Sequence, residues 1–148
     1  MVFAMCDNLK QVCRLLDVIA MFTCDNSMEM FADGRSLGKD GNWKVASTFV
    51  IPGDTRLVSV LGRDTGAKFG ILGSFSNGLL TDESWKCSSN GSSGWNSPYF
   101  DDSPWPHAVV VGQHGDSPWR YIQGIAKPAK WIWTAGGDST VYCRLNLP

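Results

Sequence analysis

The 148-residue chain carries almost no surplus charge, with 13 Lys and Arg against 14 Asp and Glu. No Lys/Arg cluster stands out, so the electrostatic footprint of a nucleic-acid-binding protein is missing. No apolar run approaches the roughly 20 residues that cross a bilayer as a helix. Histidine is limited to His107 and His114, at a spacing that suits neither a helical metal pair nor a zinc finger. None of the five cysteines (Cys6, Cys13, Cys24, Cys87 and Cys143) forms a C-x-x-C pair, which argues against a zinc ribbon or a thioredoxin-like motif. Their odd number leaves at least one thiol free or bonded to another chain. A G-x-S-x-G elbow is absent, as is a phosphate-cradling Gly loop followed by Lys and Ser/Thr. Glutamate is confined to Glu29 and Glu83, so a glycosidase acid/base pair would have to be drawn from the 12 aspartates. The chain is short for such an enzyme, and the expectation is a protein that performs no chemistry of its own.

What the chain has in quantity is turn-forming and aromatic residues. There are 16 Gly and 7 Pro, with many Ser, Asn and Asp, which points to short strands joined by many turns. The hydrophobic fraction of 43% fills one core, and the length suits one domain. Residues 1–14 read as an N-terminal extension with an unclear hydrophobic period that allows a short helix. Met1–Met5 is apolar, but Asp7, Lys10, Arg14 and Asp17 interrupt the apolar runs, so no secretory signal is read there. Residues 15–148 read as one all-β domain. Strands are expected over 15–23, 27–32, 48–51, 57–61, 69–75, 79–81, 85–88, 108–111, 131–134 and 140–147. The last shows the cleanest alternation: Val141, Cys143, Leu145 and Leu147 on one face, Thr140, Tyr142, Arg144 and Asn146 on the other. Asp33-Gly34 is a hairpin-turn signal. Residues 100–105 read as a compact helical turn that Asp101 or Asp102 can cap. Asn90-Gly91-Ser92 matches an N-glycosylation acceptor or is a Gly-rich turn that matches by chance.

Two constellations remain. Cys24-Asp25-Asn26-Ser27 lies between two expected strands. Its carboxylate and amide carbonyl are hard oxygen donors that suit calcium and can also bond sugar hydroxyls. The same residues equally suit a plain turn. The second constellation is the set of seven tryptophans: Trp43, Trp85, Trp95, Trp105, Trp119, Trp131 and Trp133. Pyranose rings present apolar C–H faces that stack on aromatic rings. Most of the seven are expected in the core. Trp95 and Trp119, in polar surroundings, are the candidates for exposure.

Taken in order, these segments resemble a known family. Asp25-Asn26-Ser27-Met28-Glu29-Met30-Phe31-Ala32-Asp33-Gly34 resembles the signature of galactose-binding-like jelly rolls, and more narrowly of the rhamnose-binding module attached to bacterial α-L-rhamnosidases and of related invertebrate extracellular domains. Gly70-Ile71-Leu72-Gly73, Thr81-Asp82-Glu83-Ser84-Trp85-Lys86 and Gly94-Trp95 are similar to further segments of that module. So are Phe100-Asp101-Asp102-Ser103-Pro104-Trp105, Ala129-Lys130-Trp131-Ile132-Trp133 and Val141-Tyr142-Cys143-Arg144. In the rhamnosidase modules the Trp-Ile-Trp and Tyr-x-Arg segments usually precede the Asp-Asn motif; here they follow it, as in a circular permutation or a unit cut from an array.

The resemblance implies a jelly-roll β-sandwich of two antiparallel sheets and a lectin-like, extracellular or secreted module that binds a galactose- or rhamnose-like glycan. It also implies a Ca2+ ion held by Asp25 and Asn26, with the 63–68 loop beside them. That loop carries Asp64 where the family has Asn, and Lys68 adds a positive charge. The expected site is therefore Asp25, Asn26, Trp95 and Trp119 for sugar, and Asp25, Asn26 and Asp64 for metal. The alternatives are a structural or adhesive matrix protein without a sugar site, or an accessory domain of a glycosidase. Both Cys87 and Cys143 fall inside the resemblance, with Cys143 on the inward face of the last strand and Cys87 two residues from Trp85. They are expected to be bridged, or else to be two separate buried thiols.

Overall fold

Alternation of apolar and polar residues builds most of the strands, and the computed structural model describes residues 4–7 and 12–148 of the chain. Every named element among them is a strand. One five-stranded sheet runs in the order β10 (Val109–Gln113), β11 (Lys130–Trp133), β8 (Gly70–Phe75), β3 (Val18–Asp25) and β6 (Ser47–Ile51). The other runs β5 (Arg35–Asp40), β4 (Ser27–Ala32), β7 (Leu57–Arg63), β12 (Thr140–Asn146) and β9 (Lys86–Ser88). All pairings within both sheets are antiparallel. This is the expected jelly-roll-type β-sandwich. A separate antiparallel pair, β1 (Ala4–Asp7) with β2 (Val12–Leu15), stands where a short helix was allowed for residues 1–14. Residues 1–3 and 8–11 lie outside the described residues.

The inner faces meet in one core. Phe22 and Cys24 of β3, Met28 and Met30 of β4, Val58 and Val60 of β7, and Val141 and Cys143 of β12 all contribute to it. Phe22 packs against Phe75 and Trp85. Cys87 and Cys143 face each other across β9 and β12 and are joined as a disulfide, with alpha-carbons 4.1 Å apart. Cys24 is the free buried cysteine among the described residues. Gly73 has a specific duty in this core: a Cβ there would fall 2.3 Å from the Phe22 ring, so the strand can pass only without a side chain.

Each sheet also buries much of its outer face under an irregular segment. Residues 114–129 cover the first sheet, where Trp119, Ile122, Ile125 and Ala129 pack on Leu72 and Trp131. Residues 89–106 cover the second sheet and are held by Arg144 of β12. Its guanidinium bonds Asp102 Oδ2 at 2.8 Å, the Ser97 and Phe100 carbonyl oxygens, and the Trp95 carbonyl oxygen. The expected helical turn at residues 100–105 is a single hydrogen-bonded turn, Trp105 N to Asp102 O, with Asp101 Oδ1 accepting from Ser103 N. Covered on both sides, the central strand β8 is buried throughout, which explains why it is apolar apart from Ser74, whose hydroxyl accepts from Ala126 N in the covering segment.

Asp33-Gly34 forms the expected two-residue turn, with both residues at positive φ. The strand expected over 79–81 is reduced to an isolated bridge between Leu80 and Ser74. Edge strand β5 has no counterpart among the sequence expectations, because Arg-Ser-Leu-Gly-Lys-Asp lacks alternation.

Candidate functional site

Strand β3 ends at Asp25, and the chain bends at Asn26 into β4, crossing from one sheet to the other. The Asp25–Asn26 peptide is cis. At the same end, β7 runs out at Arg63 into the loop that leads to β8. The two bends lock together: Asn26 N donates to Arg63 O at 2.9 Å, and Asn26 Oδ1 accepts from Thr65 N at 2.7 Å and Thr65 Oγ1 at 3.1 Å. Asp64 Oδ1 accepts from Gly66 N at 3.0 Å, and Asp64 N donates to Ser139 O. Asn26 and Asp64 are half-buried and open to this end of the sandwich. Asp25 lies deeper, at 6% exposure.

Among the described residues, neither Asp25 nor Asp64 takes part in an ion pair. Burial pushes the Asp25 carboxyl above its ordinary range, a hydrogen bond from Trp119 pulls against this, and the charge of Asp64 adds to the rise. Burial is the main cause of the rise at Asp25, and the Asp64 charge is a lesser one. Burial also pushes the Cys24 thiol well up, which makes it a poor nucleophile.

The two tryptophans assigned to the site are placed otherwise than expected. Trp119 is 5% exposed. Its Nε1 donates to Asp25 Oδ2 at 2.9 Å, and its ring stacks on Trp131 with centroids 4.4 Å apart. The polar sequence around it does not make it a surface residue, because a buried indole N–H needs an acceptor and Asp25 supplies one. Trp119 thus supports the bend from below instead of offering a face to a ligand. Trp95 is half-buried in the segment over the second sheet, against Phe31 and Tyr142. It does not join Asp25 and Asn26, because Arg144 ties its carbonyl to the middle of β12.

Two concavities flank the bend. A groove of about 390 Å³ on the second sheet is lined by Ser27, Glu29, Lys39, Asp40 and Arg63, among others. Outside Trp119, a cleft of about 530 Å³ is lined by Trp43, Lys44, Arg120 and Tyr121, among others. Neither Trp43 nor Tyr121 was singled out from the sequence. The available signal was their setting, each next to a basic residue in an irregular stretch. Among the described residues, no group of three or more His, Cys, Asp or Glu side chains is arranged to hold a metal. A cation at the bend would have to take oxygen from Asn26 and the main chain as well.

No family model matches the chain. A stretch of 55 residues is 38% identical to an α-L-rhamnosidase of Streptomyces avermitilis, covering 36% of this chain and 5% of that protein. The resemblance read from the motifs thus has a measured counterpart over a short stretch. Among solved structures, the chain is similar to the lectin of Pleurotus ostreatus in its apo form, with a TM-score of 0.53 and 21% identity. The same lectin in complex with GalNAc gives the same values, and in each case 76% of this chain matches 36% of the lectin. The chain accounts for only a small part of the rhamnosidase and about a third of the lectin. At this identity the lectin establishes the sandwich fold.

Proposed function

We propose that the chain is a non-catalytic carbohydrate-binding module whose sugar site lies at the Asp25–Asn26 bend, assisted by calcium. The observation that carries this reading is the interlock of two bends from different parts of the chain, Asn26 on Thr65 and Arg63. It gathers hard oxygen donors at one end of the sandwich, the carboxylates of Asp25 and Asp64 among them. A divalent cation there would offset their negative charge. Asp25, Asn26 and Asp64 would hold the ion, with main-chain oxygen beside them; calcium accepts six to eight oxygens, so sugar hydroxyls can complete its shell. The groove beginning at Ser27 and Arg63 offers further polar contacts to the glycan. The lectin fold and the rhamnosidase similarity support the same reading, and the latter also suits an accessory module of a glycosidase. The Cys87–Cys143 disulfide supports an oxidising, extracellular setting.

The test is calorimetry with galactose and L-rhamnose, with calcium and with chelator. Because ion and sugar share a shell, each should strengthen the other by the same factor. Asn26→Ala should weaken sugar binding about tenfold or more, as expected for loss of a good polar contact to a charged centre. Asp54→Ala, in an exposed turn, should leave binding unchanged. Sugar binding indifferent to both chelator and Asn26→Ala would dismiss the calcium-assisted site. No binding to any glycan would turn the reading to a structural or adhesive role.

A further inference from the structure

We propose that the cleft outside Trp119 binds an anionic sugar, a pyranose bearing a carboxylate or a sulfate. The proposal rests on the carbohydrate reading above, but on none of the residues of the Asp25–Asp64 bend. The cleft volume of about 530 Å³ is in the range of small-ligand sites. Trp43 and Tyr121 give it aromatic surface, and Tyr121 is 66% exposed. Its lining includes Lys44 and Arg120 and no carboxylate. Lys44 Nζ lies 5.6 Å from the Trp43 ring centre, and Lys127 Nζ lies 5.8 Å from that of Tyr121. All three cations are exposed, and none takes part in an ion pair among the described residues.

Charge decides between neutral and acidic sugars. A neutral pyranose stacking on these rings would displace the ammonium groups from the ring faces and give back nothing for the lost cation–π contact. An anionic pyranose sets its C–H face on a ring while its carboxylate or sulfate meets Lys44 or Arg120, the two cations that line the cleft. The chain as a whole has a net charge of -1, so this positive rim is a local feature and not a basic surface of the kind nucleic acids need.

The cleft is also built in advance. His114 is buried; its Nε2 accepts from Ile122 N at 2.8 Å, so its Nδ1 donates to Ala126 O at 3.0 Å. These bonds close the segment that carries Arg120 and Tyr121. The Tyr121 ring rests on Gly115, where a Cβ would come within 2.7 Å of the ring. A ring fixed before binding loses little freedom on meeting its ligand.

The test uses the whole chain with three probes: a trigalacturonate, a sulfated galacto-oligosaccharide of similar length, and neutral galactotriose. The two acidic probes should bind about tenfold or more tighter than the neutral one at low salt, and the advantage should shrink as salt rises. Their order tells carboxylate from sulfate. Lys44→Ala with Arg120→Asn should abolish the advantage; Asn is chosen because Arg120 sits at φ 61°, which Asn tolerates. Tyr121→Ala should weaken both acidic probes. Equal binding of acidic and neutral probes overturns the proposal. So does an acidic preference that survives the Lys44 and Arg120 changes, or tighter binding of a single-stranded oligonucleotide of equal charge. Each of these leaves the carbohydrate reading standing if Asn26→Ala still weakens galactose. Binding of none of these probes, nor of galactose or L-rhamnose, removes both.

Discussion

Asp25 shows how a buried carboxyl can work against the fold that buries it. Burial and the nearby Asp64 charge raise its carboxyl above the model-compound value of 3.8, against the Trp119 hydrogen bond. The folded state therefore holds the Asp25 proton more tightly than the unfolded chain does. Stability from this group is complete below the unfolded value and is lost as pH rises through the raised one. Asp25→Asn keeps an acceptor for Trp119 and removes the charge. The variant should melt at a higher temperature than the parent at pH 7, and the difference should vanish towards pH 3; a thermal melt series against pH checks this. The same variant should bind calcium more weakly. That Asp25 and Asn26 meet the Asp64 loop was legible only through the family resemblance, since nothing in the spacing of residues 25 and 64 announces it. Trp119 was misread because its acceptor lies 94 positions away in the chain. Polar neighbours in sequence say little about burial when an indole can find a distant carboxylate.

At the scale of elements, legibility followed alternation. Strand β4 and strand β12 were readable because one face is apolar and the other polar, and their observed bounds match the sequence reading closely. Strand β5 was not, because an edge strand with an exposed face can be mostly polar. The polar face of β12 holds a feature the alternation did not reveal: Arg144 is fully buried beneath the 89–106 segment. Its partner Asp102 is pushed up by burial, but bonds from Arg144 and Asn146 and the charges of Arg144 and Lys86 bring it below the ordinary value. Asp102 therefore adds stability above the unfolded value that is lost as pH falls through the depressed one. Arg144→Met would take the buried guanidinium from Asp102, which keeps Asn146 and Lys86, and leave three carbonyl oxygens without its donors. It should cost about 3–5 kcal/mol, the range for breaking one side of a buried pair. Urea denaturation would measure this, and protease cleavage should move into residues 89–106.

For the whole molecule, the two sheets and their covering segments place the bend and the acidic-sugar cleft on either side of a single indole. Trp119 touches Asp25 through its N–H, stacks on Trp131 and floors the cleft with its outer edge. That position makes it an optical reporter already wired to both places. Emission from an indole depends on the charge beside its N–H and on the rings against its face. Calcium at the bend and an acidic sugar in the cleft should therefore each change the intrinsic fluorescence, in separate titrations and with separable amplitudes. Trp119→Phe should silence most of the calcium signal and reduce the sugar signal to what Trp43 contributes, while calorimetry still records the heat of sugar entering the cleft. Light emitted by one residue would then count the occupancy of two places that no other single probe adjoins.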